Sequence, residues 1–485
     1  MDFIKIISLI ILVILIFNFV IFIHELGHFL AAKWRGMHVD RFQIWFGKPI
    51  WKKTIGGVQY GLGWFPAGGF VSLPQMATME AIEGNVEEGE KKNLTPAKPL
   101  DKIIVAAAGP LFSFLLAFGA ACLVWVLGTP DEKIMTTTIG YVVKDSPAQG
   151  ILQVGDKILE IEGKPMYYWQ RGGTLSETVT GAIVLSEGDT VEFKVLRDGK
   201  ELELSTGFTI PDVGLLGRSY RKVGIDFERP LVVDDYFKQL NSKENVANTP
   251  AELGGLEKGD RLLSANGQRL LSPSQLDDII SNGEPVVFEV QRGDLTLSKT
   301  VTLQKPEGMD RYLLGVQFAG LTSDVGVREI IHPDPFTQCK QQVSMMWTTI
   351  SKVISPKTDI NAGHMNSFVG IADNYYQMLK MDYALNRILW FTVLLNINLA
   401  ILNLLPLPVL DGGHITTSLI EIITRRPVPA KIMLVLQNAF VLLLLGFMLV
   451  LATKDIFGIG QRQSNGTATP KEIIFVPPVL NESSQ

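Results

Sequence analysis

Three residues near the start of the chain have the types and the spacing needed for chemistry on a metal ion. His24 and His28 lie four positions apart in FVIFIHELGHFLAA, so on a helix both imidazoles face one side and can bind one ion. Glu25 follows His24 directly, close to such an ion but free to handle a proton. Polar residues that snorkel at the end of a membrane helix would explain one histidine but not this triple. The pattern H-E-x-x-H therefore predicts a metal site with a base beside it.

A catalytic zinc takes three protein ligands and keeps one position open for water, so a third ligand must come from elsewhere in the chain. Asp411 lies in NLLPLPVLDGGH, close to the end of the third of four apolar segments. The first and third segments cross the membrane in the same direction, and His24 and Asp411 both lie about 20 residues from the outer surface. This matching depth predicts Asp411 as the third ligand. His414, beyond the Gly412–Gly413 break, is a competing candidate.

The chain as a whole reads as a mixture of membrane spans and soluble domains. Of its 485 residues 47% are apolar, and the mean hydropathy is +0.22. The segments that reach the length of about 20 apolar residues needed to cross a bilayer are 3–32, 103–128, 388–410 and 430–452. The net charge of −5, without a basic stripe, gives no indication of nucleic-acid binding.

The distribution of basic residues predicts the orientation of the spans. The first and third loops between spans are flanked by Lys33, Arg35, Arg41, Lys98, Lys102, Arg425, Arg426 and Lys431. The positive-inside rule places these loops in the cytoplasm. Both termini and the region 129–387 then face outward, into the periplasm if the source is a Gram-negative bacterium.

Two regions outside the spans have the patterns of β-strands. Residues 44–73 alternate apolar and polar residues between glycines, which is typical of short hairpin strands. In the outer region, SPAQGILQVGDKILEIEGKPM at 146–166 returns as TPAELGGLEKGDRLLSANGQRL at 249–270. These repeats resemble tandem PDZ domains of the bacterial permuted type, with VGIDF at 223–227 opening the second. Two small β-rich domains without peptide binding remain an alternative, because a fold does not fix a function.

Two motifs together indicate a family. HELGH at 24–28 and NLLPLPVLDG at 403–412 resemble the motifs of the site-2 protease family of intramembrane zinc metalloproteases. The four spans and the tandem insert resemble its bacterial RseP type, which cuts a membrane-anchored anti-sigma factor. The resemblance implies Zn²⁺ as the cofactor, with His24, His28 and Asp411 as its ligands and Glu25 as the general base. His414 is then left with a supporting or structural role.

A substrate helix hides its peptide bonds in its own hydrogen bonds, and lipid offers no replacement partners. The glycine-rich hairpin of 56–73 can offer an edge strand to an extended substrate, and asparagine amides in the third span can bond a freed backbone. The family pattern supports both features, whereas Asn396 is assigned to helix packing. The predicted substrate contacts are Gly68, Gly69, Phe70, Asn398 and Asn403.

The predicted fold is a polytopic α-helical membrane protein with four transmembrane helices, a membrane-associated β-hairpin region and two inserted periplasmic PDZ domains. The predicted boundaries are 1–32 for the first span, 33–102 for the loop with the hairpin at 44–73, 103–128 for the second span, 129–222 and 223–310 for the PDZ domains, 311–387 for an amphipathic or membrane-associated segment, 388–411 and 428–453 for the last two spans, and 458–485 for a tail.

The predicted function is zinc-dependent cleavage of transmembrane segments of single-span proteins in the bacterial inner membrane. The expected substrate is an anti-sigma factor already cut by an upstream periplasmic protease, with leftover signal peptides as a further class. One alternative is a membrane PDZ adaptor with a non-catalytic zinc site, against which an intact Glu25 argues. Another is a membrane zinc protease for soluble or lipidated peptides, over which the asparagines and the edge strand favour a transmembrane substrate.

Overall fold

The computed structural model of the protein describes residues 3–76, 97–172, 175, 177–211, 220–236, 248–306, 309–319, 326–360 and 364–467. The predicted tail lies outside these residues from 468 onward. The described helices, in chain order, are α1 (Phe3–Trp34), α2 (Pro99–Leu127), α3 (Val179–Leu185), α4 (Pro250–Leu253), α5 (Pro273–Ile280), α6 (Pro335–Ile354), α7 (Phe368–Met378), α8 (Ala384–Asn403), α9 (Asp411–Thr424) and α10 (Ala430–Thr467).

The described strands alternate with short turns over the hairpin region and the outer region. In chain order they are β1 (Arg41–Ile55), β2 (Val58–Ser72), β3 (Thr129–Ile134), β4 (Ile139–Val142), β5 (Lys157–Ile161), β6 (Lys164–Pro165), β7 (Gln170–Arg171), β8 (Val191–Arg197), β9 (Lys200–Thr206), β10 (Ile225–Phe227), β11 (Leu231–Tyr236), β12 (Arg261–Ala265), β13 (Gln268–Arg269), β14 (Val286–Arg292), β15 (Leu295–Val301), β16 (Val316–Phe318) and β17 (Gly326–Ile331).

Four of the described helices are long and apolar enough to cross a membrane, which confirms the predicted number of spans. The candidate spans are Ile7–Trp34, Pro99–Leu127, Ala384–Asn403 and Met433–Ile459. Large apolar side chains on these helices, among them Leu15 and Leu442, are exposed at the protein surface. Such a surface suits acyl chains and not water, since lipid imposes no cost on exposed leucine.

The third span differs from its prediction at the C-terminal end. α8 ends at Asn403 and α9 begins at Asp411, whereas the sequence predicted one continuous helix over 388–411. Pro406 and Pro408 explain the break, because proline has no N–H to donate and disfavours the helical conformation of the residue before it. Asp411 is therefore the first residue of a new helix, where unpaired N–H groups and the helix dipole favour a carboxylate.

The chain divides into two compact units. The membrane unit contains residues 1–130, 330–351 and 363–459, and the repeat unit contains residues 131–329, 352–362 and 460–485. Within the membrane unit, α2 packs against α1, α8 and α9. α2 therefore occupies the centre of the membrane unit, in contact with the helices that carry the histidine motif and Asp411.

The hairpin of β1 and β2 is a small curled sheet of the membrane unit. Residues 41–44 pair on one side with 59–62 and on the other with 69–72, and residues 51–55 continue the sheet beyond 58–62. Phe42 anchors the sheet to α1 through edge-to-face contacts with Phe22 and Phe29. This order leaves residues 69–72 as an edge of the sheet, on the part of β2 that belongs next to α1.

The repeat unit contains two repeats with the same order of elements. In the first repeat, β5 pairs with β6 and β8, β8 pairs with β9, and β10 closes onto β4. In the second repeat, β12 pairs with β13 and β14, β14 pairs with β15, and β16 closes onto β11. α3 lies between β6 and β8 in the chain, and α5 lies between β13 and β14. Each of these helices is preceded by a hydroxyl N-cap residue, Thr178 for α3 and Ser272 for α5. The internal repeat read from the sequence is thus a structural repeat.

The prediction that VGIDF opens the second repeat is wrong. Ile225–Phe227 pairs with β4 of the first repeat, and Val223 is buried in that repeat's core. The corresponding closing strand of the second repeat is Val316–Phe318, which lies beyond the predicted boundary at residue 310. The strand that completes each repeat is contributed late in its sequence, so the pairing is non-local and the boundary could not be read from adjacent residues.

Candidate metal centre

α1 brings the two histidines of the motif to one face, where they meet the first residue of α9. His24 Nε2 lies 3.3 Å from Asp411 Oδ2, His28 Nε2 lies 3.4 Å from Asp411 Oδ1, and the two Nε2 atoms are 3.3 Å apart. Their ligand atoms form the group within the described residues that could hold a metal ion. The three predicted ligands are therefore brought together, although Asp411 lies on a different helix from the one expected.

The donor set and its spacing fit zinc. Ligand atoms about 2.05 Å from a tetrahedral ion lie roughly 3.3 Å from one another, which matches the three separations between these side chains. Without a cation, two imidazole nitrogens and a carboxylate would turn their lone pairs toward each other in a buried place, which is unfavourable. The residues present thus fit the metal that the sequence implies.

The far side of each imidazole is held by α2. His28 Nδ1 donates to the Val105 carbonyl oxygen at 2.8 Å, so this nitrogen carries the proton and Nε2 keeps its lone pair for a metal. His24 Nδ1 lies 3.0 Å from Ser113 Oγ. Sequence reasoning missed both partners. Ser113 offered the one usable signal in the sequence, a hydroxyl within an apolar span, and the structure shows that it is fully buried.

Glycines let α2 approach α1 closely enough to make these contacts. A Cβ on Gly109 would lie 2.2 Å from His28 Nε2 and 2.9 Å from His24 Cε1. A Cβ on Gly27 would lie 2.4 Å from the Ala108 carbonyl oxygen. Both distances are far below a van der Waals contact, so any side chain at either position would separate the helices that form the site.

Asp411 is positioned by the turn that breaks the third span. A Cβ on Gly412 would lie 2.2 Å from the Leu405 carbonyl oxygen, and one on Gly413 would lie 2.2 Å from the Leu407 carbonyl oxygen. The two glycines that follow Asp411 are therefore required for α9 to fold back against the preceding turn. The DGG sequence places the carboxylate by allowing this close approach.

Glu25 lies beside the ligand group but is not one of its members. Its carboxylate accepts a hydrogen bond from the backbone N–H of Val71, on the edge segment of β2. Gly69, two residues earlier, would place a Cβ 3.5 Å from Glu25 Cγ. The backbone of the hairpin therefore holds the Glu25 carboxylate in place beside the metal ligands, where the carboxylate can act on a proton.

A cavity of about 260 Å³ joins these groups. It is lined by the four residues of the two motifs together with Gly68, Gly69, Asn403 and His414. A larger cavity of about 350 Å³ lies in the second repeat, but no histidine lines it. The smaller cavity is therefore the one in which metal-dependent chemistry can take place.

The predicted substrate contacts have different places in the structure. Gly68 and Gly69 line the cavity, and Asn403 Nδ2 comes to 3.4 Å from His24 Nε2. The Phe70 side chain is buried and stacks on Phe46, with ring centroids 6.4 Å apart, so it points away from the cavity. Asn398 is half-buried on α8 and is not among the residues that line the cavity.

Two polar residues near the site have other roles. His414 is buried and lines the cavity, but it is outside the metal-ligating group of the described residues. Asn396 is fully buried, and its amide donates to the Thr392 carbonyl oxygen one turn earlier in α8. Their positions agree with supporting and packing roles.

Comparison with known proteins gives a match over nearly the whole chain. Residues 12–447 match Peptidase family M50. The chain is 27% identical to "Protease RseP" of Yersinia pestis, over 84% of this chain and 90% of that protein. It is 26% identical to "Regulator of sigma-E protease RseP" of Salmonella typhimurium, with the same two shares. A Campylobacter jejuni protein named as a zinc metalloprotease is 28% identical over 91% of this chain and 92% of its own length.

Proposed function

Because the chain belongs to peptidase family M50, and is thus a zinc metalloprotease, we propose that it cleaves peptide bonds within the membrane, in transmembrane segments of single-span proteins. The observation that carries this proposal is that Asp411 meets His24 and His28, which lie on a helix long and apolar enough to cross a membrane. A site for soluble peptides has no need of ligands on such helices, where buried polar groups are costly.

The residues of the centre divide the chemistry between them. Zinc held by His24, His28 and Asp411 supplies Lewis-acid chemistry, which polarises a peptide carbonyl and makes water more acidic. The Glu25 carboxylate takes a proton from the attacking water and passes it to the nitrogen of the leaving amine. The Val71 N–H holds that carboxylate at the edge of the cavity. Water adds across the peptide bond, and the proton count balances through Glu25.

The edge of β2 is the proposed receiver of the unwound substrate. Residues 69–72 pair with β1 on one side only, and backbone groups alternate in direction along a strand. Ser72 accepts from Asp40 toward β1, whereas Val71 donates toward Glu25. The backbone N–H and C=O groups of Gly69 point the same way as those of Val71, so they can form hydrogen bonds with an extended substrate beside the base. Asn403 is proposed to form a hydrogen bond with the freed substrate backbone from the α8 side of the cavity. Asn398 and Phe70 do not line the cavity, so they are proposed to support the residues that do.

The repeats are proposed to be PDZ domains that face the periplasm, as do both termini. The basic residues near the span ends support this orientation in a bacterial inner membrane. We propose that the repeats exclude substrates with a bulky outer domain, while the cut itself lies toward the cytoplasmic side. This arrangement implies two steps, in which an upstream periplasmic protease first trims the outer domain.

The proposed substrate is an anti-sigma factor, with leftover signal peptides as a further class. The names of the relatives from Yersinia pestis and Salmonella typhimurium support this choice, since the second is named "Regulator of sigma-E protease RseP". A non-catalytic adaptor is disfavoured, because Glu25 lines the cavity beside the ligands and a structural site has no use for a base.

The first test replaces Glu25 with glutamine in purified full-length protein. We expect Glu25→Gln to abolish cleavage of a single-span reporter while zinc content, measured by elemental analysis, stays at the wild-type level. Glutamine keeps the shape of the side chain but cannot accept the proton. Turnover above a few per cent of wild type would show that another group is the base.

The second test removes the repeats. Deletion of residues 134–318 should allow cleavage of a reporter that still carries a folded outer domain, with the rate on the trimmed reporter unchanged. A deletion protein that folds and binds zinc but no longer cuts the trimmed reporter would show that the repeats recruit or activate, and that they do not act as a filter.

A further inference from the structure

The hairpin of β1 and β2 carries charge of one sign only. From Arg41 to Ser72 the sequence contains no Asp or Glu, and its cations are Arg41, Lys48, Lys52 and Lys53. The three lysines are exposed, and none of them forms an ion pair with another residue that the structure describes. The hairpin therefore presents unpaired positive charge to its surroundings.

Two of these lysines lie on the strand segment 50–55, which we call the outer strand. Residues 51–55 pair with 58–62, residues 59–62 pair with 41–44, and residues 41–44 pair with 69–72. The outer strand is thus the edge of the sheet opposite to residues 69–72, and within the described part of the chain no strand pairs with its other side. An open edge of this kind is normally shielded, because its unpaired backbone groups can bond to another chain.

Large apolar side chains accompany the lysines. Side chains alternate between the two faces of a strand, so Lys52 shares a face with Ile50, and Lys53 shares the other face with Trp51 and Ile55. Neither face of the outer strand is buried. Exposed fractions of 45–64% are found for Ile50, Trp51, Ile55, Trp64 and Phe65. Tryptophan beside lysine is the combination that occupies a membrane–water interface, where the ring meets the acyl boundary and the amine reaches the headgroups.

The hairpin lies alongside the end of the first span. Phe42 contacts Phe22 and Phe29 of α1, with ring centroids 5.8 Å and 5.2 Å apart. At the rise of an α-helix these two rings lie about 18 Å and 8 Å before Trp34, where α1 ends. Trp34 is exposed, as is Leu30 one turn earlier. The exposed apolar surface of the span therefore continues onto the hairpin where acyl chains give way to headgroups.

We propose that the outer strand, together with Lys48, Trp64 and Phe65, is a binding surface for anionic phospholipid headgroups of the bilayer. The lysine amines contact phosphate oxygens, and the apolar side chains enter the boundary with the acyl chains. Near an anionic bilayer surface each lysine strengthens such binding about fivefold. A soluble anion would leave the apolar side chains in water, and a neutral bilayer would leave the lysines without counter-charge. The contact fixes the level at which residues 69–72, the opposite edge, stand in the bilayer.

The test uses full-length protein in nanodiscs that hold one molecule each. The lipid is phosphatidylcholine alone or phosphatidylcholine mixed with phosphatidylglycerol, and the measurement is hydrogen exchange of the amides of residues 50–55. We expect these amides to exchange about tenfold more slowly in the anionic nanodiscs. Amides of residues 41–44, which are paired on both sides, should exchange equally in both. Equal exchange of the outer strand in the two lipids would overturn the proposal.

A triple variant tests the charge. Lys48→Gln/Lys52→Gln/Lys53→Gln should reduce the difference between the two lipids to less than about twofold, with zinc content and the exchange of 41–44 unchanged. The matched control is a triple variant that removes the same charge from exposed lysines of the first repeat, Lys157→Gln/Lys164→Gln/Lys200→Gln. It should keep the full difference. Equal losses in both triple variants would assign the effect to net charge and overturn the surface.

A single variant tests the apolar part. Trp51→Gln should speed exchange of the outer strand in both lipids, because burial of the indole does not depend on headgroup charge. Unchanged exchange in Trp51→Gln would show that the indole stays outside the bilayer, which contradicts the proposed surface.

Two further arms exclude other occupants of the surface. Inorganic phosphate added to the phosphatidylcholine nanodiscs should not slow the exchange of the outer strand, and slowing would mean that the lysines bind free anions. Nanodiscs that hold two molecules allow two outer strands to pair. If protection appears only there, whatever the lipid, the edge is an interface between two copies of the chain and the lipid surface fails.

Discussion

Buried carboxylates are neutralised in different ways in the two units. Asp156 and Asp260 hold equivalent positions in the two repeats, and each meets an arginine, Arg197 or Arg292, through two hydrogen bonds of 2.7–2.8 Å. Asp411 in the membrane unit meets two imidazole nitrogens at 3.3–3.4 Å, which is longer than charge-assisted hydrogen bonds of about 2.7–2.9 Å.

This difference distinguishes a structural ion pair from a metal-binding site. In the repeats the chain supplies its own cation, so the carboxylate is satisfied and the turn around it is fixed. Burial alone would raise the pKa of Asp260, but the hydrogen bonds from Arg292 outweigh burial and lower it. In the membrane unit the Asp411 carboxylate instead meets two imidazole nitrogens at the spacing of metal ligands. The cation must come from outside the chain, and the comparison predicts which substitutions affect zinc and which affect only stability.

The largest effect is expected at Asp411. Asp411→Ala should remove most of the zinc and reduce cleavage on the order of a thousandfold or more, because two histidines are an incomplete site. Elemental analysis and the trimmed-reporter assay measure the two losses. Asp260→Ala is the comparison arm and should keep its zinc. Full zinc occupancy in Asp411→Ala would transfer the ligand role to His414.

The next effect concerns the spacing of the helices. Gly109→Ala should reduce cleavage about a hundredfold, because a Cβ at this position collides with both imidazoles and a displacement of about 1 Å is enough for such a loss. Gly119 is the matched control, since it lies on the same helix and a Cβ there has no heavy atom within 4 Å. Similar losses in Gly109→Ala and Gly119→Ala would mean that helix propensity, and not contact with the site, is responsible.

A smaller effect is expected where α2 orients a ligand. Ser113→Ala removes the partner of His24 Nδ1 and should weaken zinc affinity about 10–100-fold, as is usual for groups that orient metal-binding histidines. Competition with a chelator measures the affinity. Ser418→Ala, at another buried serine of the membrane unit, should leave it within a factor of two. An unchanged affinity in Ser113→Ala would show that packing alone orients His24.

The smallest effect on cleavage is expected in the second repeat. Arg292→Met leaves Asp260 buried without its cation and should destabilise this repeat by about 3–5 kcal/mol. Zinc content and the rate on the trimmed reporter should stay at wild-type levels. Chemical denaturation followed by hydrogen exchange of β12 and β14 measures the first quantity. A loss of zinc in Arg292→Met would show that the two units are energetically coupled.

The sequence alone predicted the parts of the site that depend on local spacing. His24, Glu25 and His28 share about one helical turn, so their relation follows from helix geometry. Asp411 was found because it lies at the same predicted membrane depth as His24. The same reasoning could not see the break after Asn403, although Pro406 and Pro408 were visible, because proline also occurs in kinked membrane helices.

The features that sequence reasoning missed depend on contacts between distant segments. The Val105 carbonyl oxygen belongs to the backbone, so no residue type in the sequence marks it as the partner of His28. Phe70 was predicted as a substrate contact, but its ring stacks on Phe46. VGIDF was assigned to the wrong repeat because the pairing of β10 with β4 spans more than eighty residues of chain. The buried ion pair of Arg221 and Asp359 gave no signal, since these are ordinary charged residues until the fold brings them together.

The edge position of residues 69–72 has a consequence for where cuts fall. A chain paired along this edge can slide only in steps of two residues if its side chains are to keep the same faces. Glu25 is held by the backbone of that same edge, through Val71, so the base stays fixed while the paired chain is shifted. The cleavage sites of secondary products should therefore differ from the main cleavage site by two residues and not by one.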